Sequence, residues 1–158
     1  MPARGPFQEH FRARSVWTRG DAPFTYEGYG RDHEVALGSG MRVTASAAPA
    51  FRGSADKPNP EELLVAALSS CHMLTFLAIA SKKGLTVERY EDEADGLLER
   101  GPDRKLWVTK VELCPRVTWG GEKRPTPEEL EALHAQAHAE CFIASSVRTE
   151  ITVRPREG

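Results

Sequence analysis

The sequence predicts an α+β fold: antiparallel β-sheets, one long buried central helix and a second, shorter helix. Three observations carry that prediction. Residues 59–84, NPEELLVAALSSCHMLTFLAIASKKG, form a long apolar run with helix signals at both ends. Strand-like segments with alternating apolar and polar residues flank it on both sides, separated by turn residues. The order of three strands, helix, two strands, helix and strand implies few parallel crossovers. At 158 residues the chain has room for one sizeable core and reads as a single domain, 1–158, without repeat or linker.

Residues 10–19 (HFRARSVWTR), 33–40 (HEVALGSG) and 41–49 (MRVTASAAP) read as the first three strands, with Gly38-Ser39-Gly40 as a tight hairpin. A connection rich in Gly and aromatics, GDAPFTYEGYGRD, joins the first two strands. Residues 50–58 form a loop leading to the helix. Asn59 is a suitable N-cap, Pro60 fits the first helical position, and Glu61 and Glu62 complement the positive end of the dipole. Lys82, Lys83 and Gly84 mark the other end.

The uncharged part of this helix is near the lower limit for a membrane span, at about 18 residues. Ser69, Ser70, Cys71, His72 and Thr75 interrupt it, and no second span accompanies it. A core helix, apolar all round, is therefore expected, and no membrane partner.

Residues 86–100 and 105–119 alternate well enough to pair as one long antiparallel hairpin across Gly101-Pro102-Asp103. Residues 127–141, PEELEALHAQAHAEC, read as the second helix, with Leu130, Leu133, Ala137 and Cys141 on related turns. A last strand, RTEITVRP, ends at Pro155.

A net charge of −2 without a basic run gives no electrostatic case for nucleic acid or an anionic membrane. The N-terminal MPARGPFQEHFRARS lacks the apolar segment of a secretory signal, so a cytoplasmic protein is expected. Three cysteines in such a chain are poor material for a disulfide framework; if two pair, redox chemistry is the reason. TYEGYGRD lacks the spacing, lysine and following helix of a phosphate loop, and no G-x-S-x-G elbow is present.

Glu61, Leu64, Leu68 and Cys71 share one side of the first helix, with the carboxylate and thiol about 15 Å apart along its axis. Composition leaves open whether Cys71 is packing or chemistry. His72 points about 100° away from Cys71 and need not serve it as a base. His134, His138 and Cys141 have a spacing able to present a metal-binding face, but no acidic or Cys-rich cluster accompanies them, so solvent-exposed histidines are expected.

NPEELLVAALSSC opening a long apolar helix, followed by AHAECFIASSVRTEITV after a second one, resembles the OsmC/Ohr family of organic hydroperoxide reductases. The resemblance spans nearly the whole chain. It implies an intertwined homodimer in which the partner covers the central helices, and a thiol-dependent peroxidase without cofactor or metal. Cys71 matches the peroxidatic cysteine, Cys141 the resolving cysteine, and Glu61 the carboxylate that orients the active-site arginine. That arginine corresponds to Arg31 in the connection between the first two strands. Arg19 is the alternative, read as lying within the first strand. The implied partners are an organic hydroperoxide and an external thiol or lipoyl reductant. A different reading keeps the fold but makes it a small-molecule-binding or redox-sensing protein without turnover. Three features depart from the family pattern: His72 where an aromatic is usual, Phe142 where Pro is common, and a long first connection carrying His33. Cys114 matches nothing in the pattern and reads as a structural thiol.

Overall fold

The computed structural model describes residues 6–157; the start of the N-terminal stretch read above for a leader lies outside the described residues. The chain divides into two compact units, one ending at Pro60 and the other beginning at Glu61.

In the first unit, β1 (Ala13–Val16), β2 (His33–Leu37) and β3 (Arg42–Ala45) form an antiparallel sheet in sequence order. Gly40, at φ +91°, closes the β2–β3 hairpin by donating to the Leu37 carbonyl at 2.9 Å. β1 is shorter than predicted because the indole of Trp17 turns away to donate to the Gly30 carbonyl at 2.7 Å. Trp17, Phe24 and Tyr29 cluster there, with ring centroids 5.5–5.9 Å apart. Arg19 consequently lies in the β1–β2 connection and not in the first strand.

In the second unit, α1 (Pro60–Lys82) ends as its sequence signals. Gly84, at φ +73°, donates to the Ser81 carbonyl and Leu85 to that of Ala80, both at 3.0 Å, which is the paired bond of a Schellman cap. Downstream come β4 (Thr86–Asp92), β5 (Asp95–Arg100), β6 (Leu106–Leu113), β7 (Pro115–Gly120), α2 (Pro127–Glu140) and β8 (Glu150–Val153). A capping box starts α2: Glu129 N–H donates to Thr126 Oγ1 at 3.2 Å and Thr126 N–H to Glu129 Oε2 at 2.9 Å.

The expected single long hairpin is split. β5 pairs with β6, while β4 and β7 form their own two-stranded sheet. The break falls where Cys114 N–H donates to Asp92 Oδ1 at 2.7 Å in place of a ladder bond, and where Pro115 has no N–H to offer. Asp92 Oδ2 also accepts from Ser69 Oγ at 2.5 Å, tying α1 to the same point. β8 returns after α2 to pair parallel with β6, so this sheet is mixed and not wholly antiparallel.

Splitting the ribbon gives α1 two cores. Phe76, Ile79 and Ala80, on its C-terminal half, pack with Leu85, Val117, Leu133 and Ala137. Leu68, on its N-terminal half, packs with Val108, Val111 and Leu113. Cys71 and His72 fall between them. The helix is long and apolar enough to cross a bilayer, but only 28% of its most apolar stretch is buried in the single chain. Within the single chain one stripe of α1, Leu68, His72, Phe76, Ile79 and Ala80, carries the core, while Leu63 and Leu74 are 41% and 60% exposed.

Candidate active site

The structure brings Cys71 and Cys141 together. Cys71 sits in the middle of α1, half-buried, and Cys141 closes α2 at 1% exposure; both are free thiols, near enough for each to shift the other's titration. Cys141 leaves the helix with extended backbone. Its carbonyl then accepts from Ser145 N–H at 3.1 Å and Ser145 Oγ at 3.0 Å, which closes a tight turn. The turn presents the N–H groups of Phe142 and Ile143 to the Cys71 sulfur. Thr75 Oγ1 donates to the Cys71 carbonyl at 2.9 Å and lies within reach of the sulfur as well.

These surroundings make the two thiols unequal. Burial is the largest influence on Cys71 and works upward, but Cys141, the Ile143 and Phe142 amides and Thr75 together outweigh it and hold the thiol below its ordinary value. Burial pushes Cys141 up, and Cys71 pushes it further; the Ala144 N–H, 3.4 Å from its sulfur, offsets part of this. Cys71 is therefore the thiolate side of the pair and Cys141 the proton-bearing thiol.

Glu61 is half-buried in the first turn of α1, where the sequence places it. Arg31 lies in the β1–β2 connection of the other unit. Its guanidinium donates to the carbonyls of Tyr26, at 2.6 Å, and Tyr29, and stacks on the Tyr29 ring at 3.7 Å. His33 Nδ1 is 2.8 Å from the Arg31 carbonyl, and Arg19 Nη1 donates to the Ala22 carbonyl at 3.1 Å.

The expectation of solvent-exposed histidines is corrected for His134, which is 3% exposed; His138 is exposed. His134 Nδ1 faces His72 Nε2 at 3.1 Å, and the two rings are parallel within 5°. Burial pushes both imidazoles down to about 4; His138 adds to this at His72, where Asp92 opposes it, and His72 adds to it at His134. His134 thus turns to His72 and Cys141 to Cys71, and among the described residues no group of three His, Cys, Asp or Glu side chains is arranged to hold a metal. The i, i+4 spacing of Leu68, His72 and Phe76 was the sequence signal for a buried His72. Nothing local signals its partner.

Cys114 is half-buried in the β6–β7 joint; burial, then the Glu112 carboxylate 3.6 Å from its sulfur, hold the thiol above its ordinary value.

The family model for OsmC-like proteins matches residues 53–156. Among solved structures, an OsmC-like protein of unknown function from Vibrio cholerae is 41% identical, with a TM-score of 0.90 over 94% of this chain and 100% of that one. An organic hydroperoxide resistance protein OsmC from Legionella pneumophila, 19% identical, has a TM-score of 0.70 over 97% and 99% of the two chains. The organic hydroperoxide resistance protein OhrB of Bacillus subtilis, 18% identical, has a TM-score of 0.62 over 94% and 98%. No curated protein matches the chain. The likeness to the last two structures is one of fold, α+β with two helices and antiparallel strand pairs. With the family model covering most of the sequence and the Vibrio relative spanned end to end, the chain belongs to the OsmC-like family.

Proposed function

We propose that the protein is a thiol peroxidase that reduces organic hydroperoxides to alcohols, with Cys71 as the peroxidatic and Cys141 as the resolving cysteine. The observation that carries this reading is the asymmetric dithiol: two free cysteines from the middle of α1 and the end of α2, near enough to influence one another, one held toward thiolate and the other toward thiol. The names of the Legionella and Bacillus proteins support it.

The Cys71 thiolate attacks the distal oxygen of the hydroperoxide. The O–O bond breaks, the alkoxide leaves and takes a proton, and Cys71 becomes a sulfenic acid. The Cys141 sulfur then attacks the sulfenic sulfur. An S–S bond forms, and the departing hydroxide takes the thiol proton as water. An external dithiol or lipoyl group reduces the disulfide and is itself oxidised. Glu61 and Arg31 enter on the family resemblance, as the carboxylate and the arginine it orients toward peroxide and thiolate. The apolar residues around Cys71 favour an organic hydroperoxide over hydrogen peroxide. An odd count of three cysteines suits a reducing, cytoplasmic compartment.

Reduced protein mixed with cumene hydroperoxide tests this. Turnover should vanish in Cys71→Ser, and substrate loss that survives the substitution overturns the assignment. Free-thiol counting after stoichiometric peroxide should show two thiols lost per chain. No rapid loss would instead favour the small-molecule-binding reading.

A further inference from the structure

We propose that the buried His72–His134 pair is a positioning element that sets the approach of Cys141 to Cys71. This rests on the peroxidase reading for its purpose, though not for its geometry.

His72 follows Cys71 directly on α1. On α2, His134 and Cys141 are seven residues apart, so the two lie within about 20° of one another on the same face. The two helices therefore meet at two levels, imidazole to imidazole through a contact of 3.1 Å and, about two turns further along α2, thiol beside thiol. The first contact is directional. Its nitrogens are 3.1 Å apart in nearly coplanar orientation, and the Phe76 ring, with its centroid 4.4 Å from that of His134, holds the acceptor geometry from one side. Such a bond fixes the rotation of α2 about its own axis, which an apolar contact of the same size would leave loose.

The imidazole contact is also a costly way to fill space. His72 Nδ1 and His134 Nε2 are buried with no protein partner, and each such atom costs about 1–3 kcal/mol of desolvation. Two leucines would close the same gap without that cost. A polar pair kept at a stability loss is explained by the specificity of its geometry. The titratable groups that act on it are His138 from α2 and Asp92 from β4, with Cys71 beside His72 on α1; Tyr90, also on β4, packs on Phe76. The neutral pair shares one proton.

The test is thiol–disulfide exchange with glutathione, in which the protein dithiol and oxidised glutathione give the protein disulfide and two reduced glutathiones. It requires no peroxide. His134→Leu and His72→Leu should lower the equilibrium constant for the Cys71–Cys141 disulfide by roughly three- to tenfold, the equivalent of one net hydrogen bond. The conservative variants separate positioning from packing. The amide of asparagine overlays Nδ1 and that of glutamine overlays Nε2, so His134→Asn should keep the wild-type constant and His134→Gln should fall with the leucine variant. If the leucine variants do not fold, the Asn/Gln contrast carries the test, with urea unfolding run alongside. Wild-type constants in all variants, or equal losses in Asn and Gln, overturn the proposal. Loss of the Asn/Gln contrast while the unaltered protein still surrenders two thiols to hydroperoxide overturns positioning alone. The contrast present with no thiol loss to hydroperoxide overturns the peroxidase reading and leaves positioning standing.

Discussion

Cys141 and Cys71 sit near enough to shift one another in opposite directions, Cys71 down and Cys141 up, which divides two identical side chains into a nucleophile and a proton-bearing thiol. The shift directions set a pH order. Above its lowered pKa Cys71 is thiolate, so its alkylation by iodoacetamide should persist to lower pH than that of an ordinary thiol. Cys141 should react only at higher pH. Peptide mass mapping across pH reads both, and superimposable profiles would contradict the division.

Phe142 contributes through its backbone. Phe142→Pro removes the N–H directed at Cys71 and should slow Cys71 alkylation at pH 7 by about tenfold, as expected for losing one hydrogen bond to a charged group. Phe142→Ala keeps the N–H and should leave the rate unchanged, because the ring is 82% exposed. A slow alanine variant would move the effect from the amide to the side chain.

The histidine pair makes folding sensitive to acid. Each imidazole titrates near 4 in the folded chain and near its ordinary 6.5 when unfolded, so the unfolded state binds more protons between those values. Stability is complete above about pH 6.5 and falls as pH drops toward 4, by on the order of 3 kcal/mol for the first histidine. Urea unfolding between pH 7 and 4 should show this slope, and the double variant His72→Leu/His134→Leu should flatten it.

Asp92 holds two elements at once. Asp92→Ala leaves the Cys114 N–H and the Ser69 hydroxyl without their acceptor and should cost about 2–4 kcal/mol, whereas Ser69→Ala should cost about 1 kcal/mol. Chemical denaturation measures both. Equal losses would place the effect in the α1 contact rather than at the strand break.

The exposed apolar face of α1 is expected to be covered by a second copy of the chain. Sedimentation should report a homodimer, and Leu74→Arg, at a position 60% exposed in the single chain, should shift it toward monomer. A monomeric wild-type protein would remove this explanation for the exposed face.

The parts legible in the sequence were those with local signals. Pro60 at the start of α1 and Gly84 past its end act within one turn, so their meaning survives without the fold. The same holds for the β2–β3 hairpin at Gly40. The split of the long ribbon had half a signal, since Pro115 cannot donate inside a ladder; the other half, Asp92, acts across 22 residues and is invisible to periodicity. Cys141 could be matched to Cys71 only through the family resemblance, because contact between residues so distant is a property of the fold. For His72 and His134, 62 residues apart, no pattern existed to match.

The seam between the two cores of α1 has a steric consequence. Oxidising a thiol to a sulfenic acid adds an oxygen atom, and a close-packed interior has no volume for it. Cys71 is only half-buried on α1, so packed side chains do not wholly enclose it. Cys141, walled in at 1% exposure, lacks that headroom. Of the two, Cys71 is the less enclosed position for an added oxygen, independently of which thiol ionises first.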